Sequence, residues 1–445
     1  MRKALFWGSL GLIIYNYLGF PLLMLARGLV WRRAVKRADI TPRVTLVIAV
    51  YNGEQWIGKR LDNALSLDYP RDQLEIIVGS DGSTDRTNEI IAGYVERGVQ
   101  FLALPRQGKI PTLNAAVARA TGEILLFSDA TSIFAPDALR FLVRSFADPS
   151  VGAVGGHQVY VSGVKSGSAN IAERLYWRFD QTLKTLQSQS GSMIASAGSL
   201  YALRSELFEP IPVGVLDDHF VSTLAIAKGY RLVLEPDAIV YQTIASSDHA
   251  EFRRKVRVIA QGLWTMWIQR PLFNPLRYGF YSIQLFSHKL LRWSIVWPLL
   301  LLLGVSPTLY RAGRFYRLIT LGQLGFYGSA LAALALRQTP LAGLRPFKLL
   351  SIPYYFCMVN LAELRAWLMV VSGKRIAMWD RTERDASQEP YAVQDADIAP
   401  PASASDAAGS GTISDQDHAA NGHLSAVASG SHMDRSQSHT RLQHR

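Results

Sequence analysis

Uncharged, mostly apolar positions run without a break from Ala4 to Ala26, longer than the roughly 20 residues a helix needs to cross a bilayer. The length and the missing small-residue cleavage site predict a retained anchor rather than a signal peptide. Arg27, Arg32, Arg33, Lys36 and Arg37 follow directly, which places this flank and the segment after it on the cytoplasmic side. The pattern then changes. Val44 to Val50, Leu74 to Ser80, Val99 to Leu104 and Glu123 to Asp129 are short, β-branched or aliphatic runs of strand length. Helical stretches separate them, around Trp56 to Leu67, near Asp85 and over Asn114 to Ala120. Strands and helices alternating at this pitch predict an α/β domain with a mostly parallel sheet covered on both faces. Ligands of such sheets bind beyond the carboxyl ends of the strands. Asn52, Glu54, Asp81 and Asp129 stand at those ends.

Apolar stretches return late in the chain. Ser294 to Tyr310 is uncharged and expected to cross the membrane, as is Leu318 to Leu336, which is uncharged between Arg317 and Arg337. Leu349 to Ala362 is shorter and runs into Glu363 and Arg365, which are costly in lipid. Tyr278 to Trp293 mixes aromatic and aliphatic residues with His288, Lys289 and Arg292, the pattern of a helix lying in the interface. Four crossings put both termini outside. If the last stretch does not cross, the C-terminus is inside, the side favoured by Lys374, Arg375, Arg381 and Arg384.

Composition agrees with a chain that partly faces lipid. Charged residues are 18% of the 445, against about 25% in ordinary soluble domains. The single cysteine, Cys357, excludes an intrachain disulfide framework and a thiolate metal cluster. A net charge of +12 suits nucleic acid, anionic lipid or a phosphorylated substrate, and does not choose among them. From about Ala386 the chain is polar and poor in large apolar residues, so a disordered tail is expected. His418, His423, His432, His439 and His444 lie there without the spacing of metal ligands. These readings divide the chain into an anchor with its basic flank (1–40), an α/β domain (41–248), basic and interfacial helices (249–293), C-terminal membrane helices (294–375) and the tail (386–445).

Taken singly, the polar motifs have ordinary explanations. Asp81-Gly82-Ser83-Thr84-Asp85 is also a turn into a capped helix, and Asp129 is also a cap for a helix near Pro136. Gly108-Lys109 is no Walker motif, because Leu104-Pro105-Arg106-Gln107 precede it. No Gly-x-Gly-x-x-Gly follows the first strand, so dinucleotide binding is unsupported. Their order and spacing say more. Tyr51-Asn52-Gly53-Glu54, Asp81 to Asp85, Gly108-Lys109 with Leu113-Asn114, and Ser128-Asp129-Ala130-Thr131 come in sequence. Ala197-Gly198-Ser199 to Arg204, Leu216-Asp217-Asp218-His219-Phe220 and Gly229-Tyr230-Arg231 follow. The whole resembles the family 2 glycosyltransferases of GT-A fold, in particular membrane-embedded bacterial members of the cellulose synthase and poly-N-acetylglucosamine synthase type.

The resemblance implies an inverting glycosyltransferase. It implies a donor pocket in which Tyr51, Asn52, Glu54 and Asp81 hold the base and ribose of a nucleoside diphosphate sugar, with Asp81 accepting from the base or a hydroxyl. Lys109 would offset the diphosphate charge. Asp129 opens the family's Asp-x-Asp motif, where a divalent cation, magnesium or manganese, bridges protein and diphosphate. Here Thr131 replaces the second aspartate, leaving three alternatives: contact through waters, help from Ser132, or a weakly held ion. Of the acidic pair, Asp218 matches the general base and Asp217 its positioning neighbour, although two acids also favour a helix start. The family's processive Gln-x-x-Arg-Trp motif is absent. Its place is taken by Arg253 to Gly262, where Arg257 either meets the diphosphate or faces lipid headgroups. The expected setting is a multi-pass protein of the bacterial inner membrane, catalytic domain cytoplasmic, serving surface polysaccharide assembly. Its expected partners are the sugar donor, a lipid-linked or glycan acceptor, membrane lipid and a polysaccharide synthase or export complex, without nucleic acid. The rival reading is a non-catalytic subunit that binds nucleotide sugar or glycan.

Overall fold

The computed structural model describes residues 1–161, 169–243, 248–336, 339 and 345–376. The polar tail with its histidines, and Arg381 and Arg384, lie outside the described residues.

One eight-stranded sheet organises the α/β part. Its strands are β1 (Val44–Val50), β2 (Leu74–Asp81), β3 (Val99–Leu104), β4 (Ile124–Asp129), β5 (Ile133–Phe134), β6 (Val151–Val161), β7 (Tyr201–Arg204) and β8 (Arg231–Thr243), in the order β3-β2-β1-β4-β7-β6-β8-β5. The first four strands are parallel, as the alternation predicts, and β1 is buried at every position. Beyond β4 the sheet is mixed: β7 runs antiparallel to both β4 and β6, β6 and β8 are parallel, and β5 is antiparallel to β8. Register places the functional edge. Val50 pairs with Ser80 and Ala49 with Asp129, so the loops after β1, β2 and β4 emerge side by side.

Helices α1 (Arg2–Ile14) and α2 (Phe20–Val30) are joined through a π-helical turn into one 29-residue apolar helix. Helices α3 (Ile57–Leu65), α4 (Thr87–Ala92), α5 (Lys109–Val117) and α6 (Ala138–Arg144) connect the parallel strands and lead into β6. Then come α7 (Ala169–Gln189), α8 (Asp217–Ala227) and α9 (Asp248–Ile268). Helix α8 packs Phe220, Val221 and Leu224 into the core under β6 and β7, and α9 adds Val256, Ile259 and Leu263 to the same core.

The chain continues through α10 (Pro275–Tyr278), α11 (Phe280–Gln284), α12 (Val296–Val305), α13 (Arg314–Leu336) and α14 (Arg345–Val371). Among the described residues, three helices are long and apolar enough to cross a membrane: Arg2–Val30, Arg314–Leu336 and Leu349–Val371. On α13, Leu318, Leu321, Leu324 and Leu331 point outward, as a lipid-facing surface requires. One expectation needs correction. The stretch from Leu349 does not stop at Ala362 but runs to Val371, because Glu363 is turned into the protein, 4% exposed, rather than into lipid. The stretch Ser294 to Tyr310 starts at a bend. The helical segments Phe280–Ser294 and Val296–Ala312 meet at a 52° bend, so this pair is either one broken span or a re-entrant loop. After α14 the chain returns to the domain: Gln261 Nε2 donates to the Ile376 carbonyl and Trp264 Nε1 to that of Lys374, while Arg375 lies over Gly214.

Candidate active site

The loops after β1 and β2 are laced into one unit by bonds from backbone amides to side chains. Asn52 takes a left-handed conformation, φ 47°, which asparagine tolerates better than most residues. Its Oδ1 accepts from the Thr84 amide at 2.8 Å, and its own amide donates to Ser83 Oγ at 3.1 Å. The Gly53 amide donates to Thr87 Oγ1 and the Glu54 amide to Asp85 Oδ2, while Glu54 Oε2 accepts from the Arg86 amide. Asn52 and Glu54 therefore hold the crevice wall. The capping duty in Asp81 to Asp85 falls to Asp85, which accepts from the Thr87 amide at 3.0 Å.

Asp81 does something else. It is fully buried, and its Oδ1 accepts from the amides of Gln107 at 2.7 Å and Gly108 at 2.9 Å. It is also ion-paired with Arg106, whose guanidinium lies 3.5 Å over the Tyr51 ring. Gly108 has φ 105°, a conformation a side chain would strain, and this turn aims its amide at Asp81. Sequence reasoning missed Arg106. The signal was its place just past β3, next to the strand that ends in Asp81.

The Gly108-Lys109 step joins this wall to a second cluster. Lys109 opens α5, and its Nζ lies 3.0 Å from Asp129 Oδ1 and 2.9 Å from Asp217 Oδ2. Burial alone would lower the Lys109 pKa, but the two carboxylates outweigh it and raise the ammonium above its ordinary range. The Tyr201 hydroxyl donates to Asp217 Oδ2 at 3.3 Å. Burial, then the fields of Asp217, Asp218 and Asp129, push that phenol well up, so Tyr201 remains a donor. Asp217 and Asp218 are the first two residues of α8, where the helix dipole favours negative charge. Asp218 accepts from the His219 amide at 2.7 Å.

The Asp218 carboxyl is pushed above its ordinary range. Burial and then the Asp217 charge raise its carboxyl to about 6, against the lowering pull of Lys289, Lys109 and the His219 amide. Arg257 approaches from α9. Burial and then Arg254 lower its pKa, and Asp129, Asp217 and Asp218 oppose the shift. Between the carboxylates stands Gly198: a Cβ there would lie 3.4 Å from Asp218 Oδ2 and 3.7 Å from Asp129 Oδ2. Bare backbone thus separates the candidate base from the strand-end carboxylate.

Lys109, Asp129, Asp217, Asp218 and Arg257 are brought into one electrostatic cluster, and Tyr51 and Asp81 into a second with Arg106. Ser132 is taken up elsewhere, buried and accepting from Gln242 Nε2 at 3.0 Å. Among the described residues, no group of three or more His, Cys, Asp or Glu side chains is arranged to hold a metal ion. The oxygen chemistry still suits a hard cation at Asp129, because magnesium is often bound by one or two carboxylates plus substrate phosphates. Asp129 is a partly exposed carboxylate at the sheet edge.

Comparison with known proteins supports the same reading. Residues 45–211 match the model of glycosyl transferase family 2. An N-acetylglucosaminyltransferase of Rhizobium sp. (strain N33) is 25% identical over 237 residues, 49% of this chain and 52% of that protein. The poly-beta-1,6-N-acetyl-D-glucosamine synthase of Staphylococcus aureus (strain COL) is 27% identical over 224 residues, 48% and 53% of the two chains. The chain thus spans about half the length of the curated relatives it matches. Among solved structures, the mannosyltransferase PcManGT from Pyrobaculum calidifontis, in complex with GDP-Man and Mn2+, aligns with a TM-score of 0.61 and 25% identity. That alignment covers 82% of this chain and 99% of the other.

Proposed function

We propose that this chain, which carries a family 2 glycosyltransferase domain, is a membrane-anchored inverting transferase. It moves a sugar from a nucleoside diphosphate donor to a lipid-linked or glycan acceptor in bacterial surface polysaccharide assembly. The observation that carries this reading is the half-buried pair of Asp218 and Asp129 on either side of Gly198, with Lys109 beside them. The acceptor hydroxyl attacks the sugar C1 as the bond from C1 to the diphosphate oxygen breaks. Asp218 takes the hydroxyl proton, and Asp217 and Tyr201 hold its surroundings. Lys109 and Arg257 offset the charge left on the departing nucleoside diphosphate, and Tyr51, Asn52, Glu54 and Asp81 frame the base and ribose. Asp129 would hold a divalent cation, magnesium or manganese, which would supply further neutralisation of the leaving group. The donor and metal in the Pyrobaculum neighbour's complex support this arrangement.

The reading is tested by a donor-turnover screen of purified protein in detergent, across several nucleotide sugars with magnesium or manganese. Turnover of at least one donor is expected. Tight donor binding with no turnover under any acceptor or metal condition would favour the non-catalytic subunit.

The pH profile gives a second test. A carboxyl with a pKa raised to about 6 is ionised above that pH and protonated below it. The kcat is therefore expected to fall about tenfold per pH unit below 6 and to level off above it, measured on parental enzyme at saturating donor. A profile flat from pH 7 to pH 4.5 would remove Asp218 as the group that must be ionised.

We place the domain on the cytoplasmic side. The basic residues after α2 support that side, and the return of residues 374–376 to α9 fits an even number of crossings between them. Helices α13 and α14 supply two, with the bent pair re-entrant. A Glu96→Cys label site in a Cys357→Ser background is expected to resist membrane-impermeant thiol reagents in intact cells and to react after lysis. Rapid labelling in intact cells would reverse the orientation.

A further inference from the structure

A polar pair outside the clusters described so far grips the segment that carries Asp129. Helix α3 buries Ile57, Leu61 and Ala64 on one face, and Arg60 falls in the same stripe, at a position where an aliphatic side chain is expected. Arg60 is 0% exposed, and its Nε has no hydrogen-bond partner. Its other contacts are Asn63 Oδ1 at 3.1 Å, Ser128 Oγ at 3.3 Å and the Phe134 ring, 4.2 Å from the guanidinium carbon. None of these is an anion, and a guanidinium buried without one is costly. Asn63, one turn on, completes the grip. Its Oδ1 accepts from the Phe134 amide and its Nδ2 donates to the Phe134 carbonyl, both at 2.9 Å. The segment is thus held at both ends, Ser128 and Phe134. Between them it turns, the Ser132 amide donating to the Asp129 carbonyl at 3.2 Å while Ser132 Oγ accepts from Gln242. Ser128, Ser132 and Phe134 are buried, whereas Asp129, Ala130 and Thr131 stay half-buried at the tip.

From this geometry we infer that Arg60 and Asn63 are positioning residues for the divalent cation: they fix the turn, so that Asp129 meets ion and diphosphate in one orientation. The inference rests on the function proposed above, which places the ion at Asp129. With Thr131 in place of a second aspartate, no further carboxylate of this turn helps to order the ion. The orientation of the single carboxylate must then come from the groups that hold its backbone. Stability does not explain the arginine. Without it Ser128 Oγ still donates to the Asp129 carbonyl at 3.1 Å, and Asn63 Oδ1 still accepts from the Phe134 amide. An apolar side chain at position 60 strands neither group, and replacing buried charge in this way is often neutral or stabilising. Arg60 serves the ion site at the expense of the fold.

The test uses the full chain in detergent, with neither sugar donor nor acceptor. The probe is manganese, added alone and with uridine or guanosine diphosphate. Binding is read from the electron paramagnetic resonance signal of free manganese, with protein-free mixtures as blanks, and the thermal midpoint is followed in parallel. The parental protein is expected to bind manganese with at least one of the nucleotides, and Asp129→Ala to lose it. Arg60→Met should weaken manganese binding at least about tenfold, the scale on which ligand-orienting groups act, while its thermal midpoint stays level or rises. Asn63→Ala releases the Phe134 end and should weaken binding to a similar extent, which gives a second reading if Arg60→Met fails to fold. Arg204→Lys is the control. It disturbs buried bonds to the Phe146 and Val151 carbonyls beside the start of β4, so the midpoint should fall with manganese affinity unchanged. Parental affinity in Arg60→Met and Asn63→Ala, or an equal loss in Arg204→Lys, would overturn the inference. A parental protein that takes up no manganese, or Asp129→Ala binding like the parent, would overturn it too. None of these readouts needs turnover, so their failure leaves the transferase reading intact. Failure of the donor screen, in turn, leaves a positive binding result standing.

Discussion

Asp218→Asn is expected to cut sugar transfer by about 10²–10⁴, the range a general base supplies, while nucleotide-sugar binding persists. The substitution keeps the size of the side chain and one acceptor oxygen, so the bond from the His219 amide at 2.7 Å survives. A capping role alone therefore predicts little change, and a base role predicts loss of kcat with donor affinity retained. Parallel measurement of donor affinity and kcat separates the two. Transfer at the parental rate would remove Asp218 and shift attention to Asp217, which Lys109 and Tyr201 already hold.

Chelation is the second large effect. EDTA is expected to abolish donor turnover, with recovery on adding magnesium or manganese. Asp129→Ala should do the same without unfolding the protein. The expectation rests on a single protein carboxylate at the sheet edge sharing the ion with the diphosphate, an arrangement magnesium accepts because it keeps several waters. Thr131→Asp should then change metal preference or affinity. Full activity in EDTA would mean that Lys109 and Arg257 balance the diphosphate alone.

The parallel half of the sheet was legible because each strand there is a short, buried, β-branched run ended by a turn. Val44–Val50 and Val99–Leu104 appear in the structure with the boundaries the pattern predicts. The far half was not legible. Strand β6 carries Gly152, Gly155 and Gly156, β8 carries Pro236, and their ladder shifts register at Gly156/His157. Neither presents a clean period of two. The site divides in the same way. Asp129 and Asp81 stand out because each is a carboxylate ending an apolar strand run, whereas Arg106 takes its role from a partner 25 residues away that only the fold supplies. Glu363 looked like a barrier to a membrane helix. Burial against protein is what the linear sequence does not encode.

The most direct measurement is proton NMR of the product formed by purified protein from an α-linked nucleotide sugar. A single base at Asp218, facing C1 from the side opposite the diphosphate, predicts a β-linked product from the first turnover. An α-linked product would contradict direct displacement assisted by Asp218, and failure to turn over any donor would contradict the transferase assignment itself.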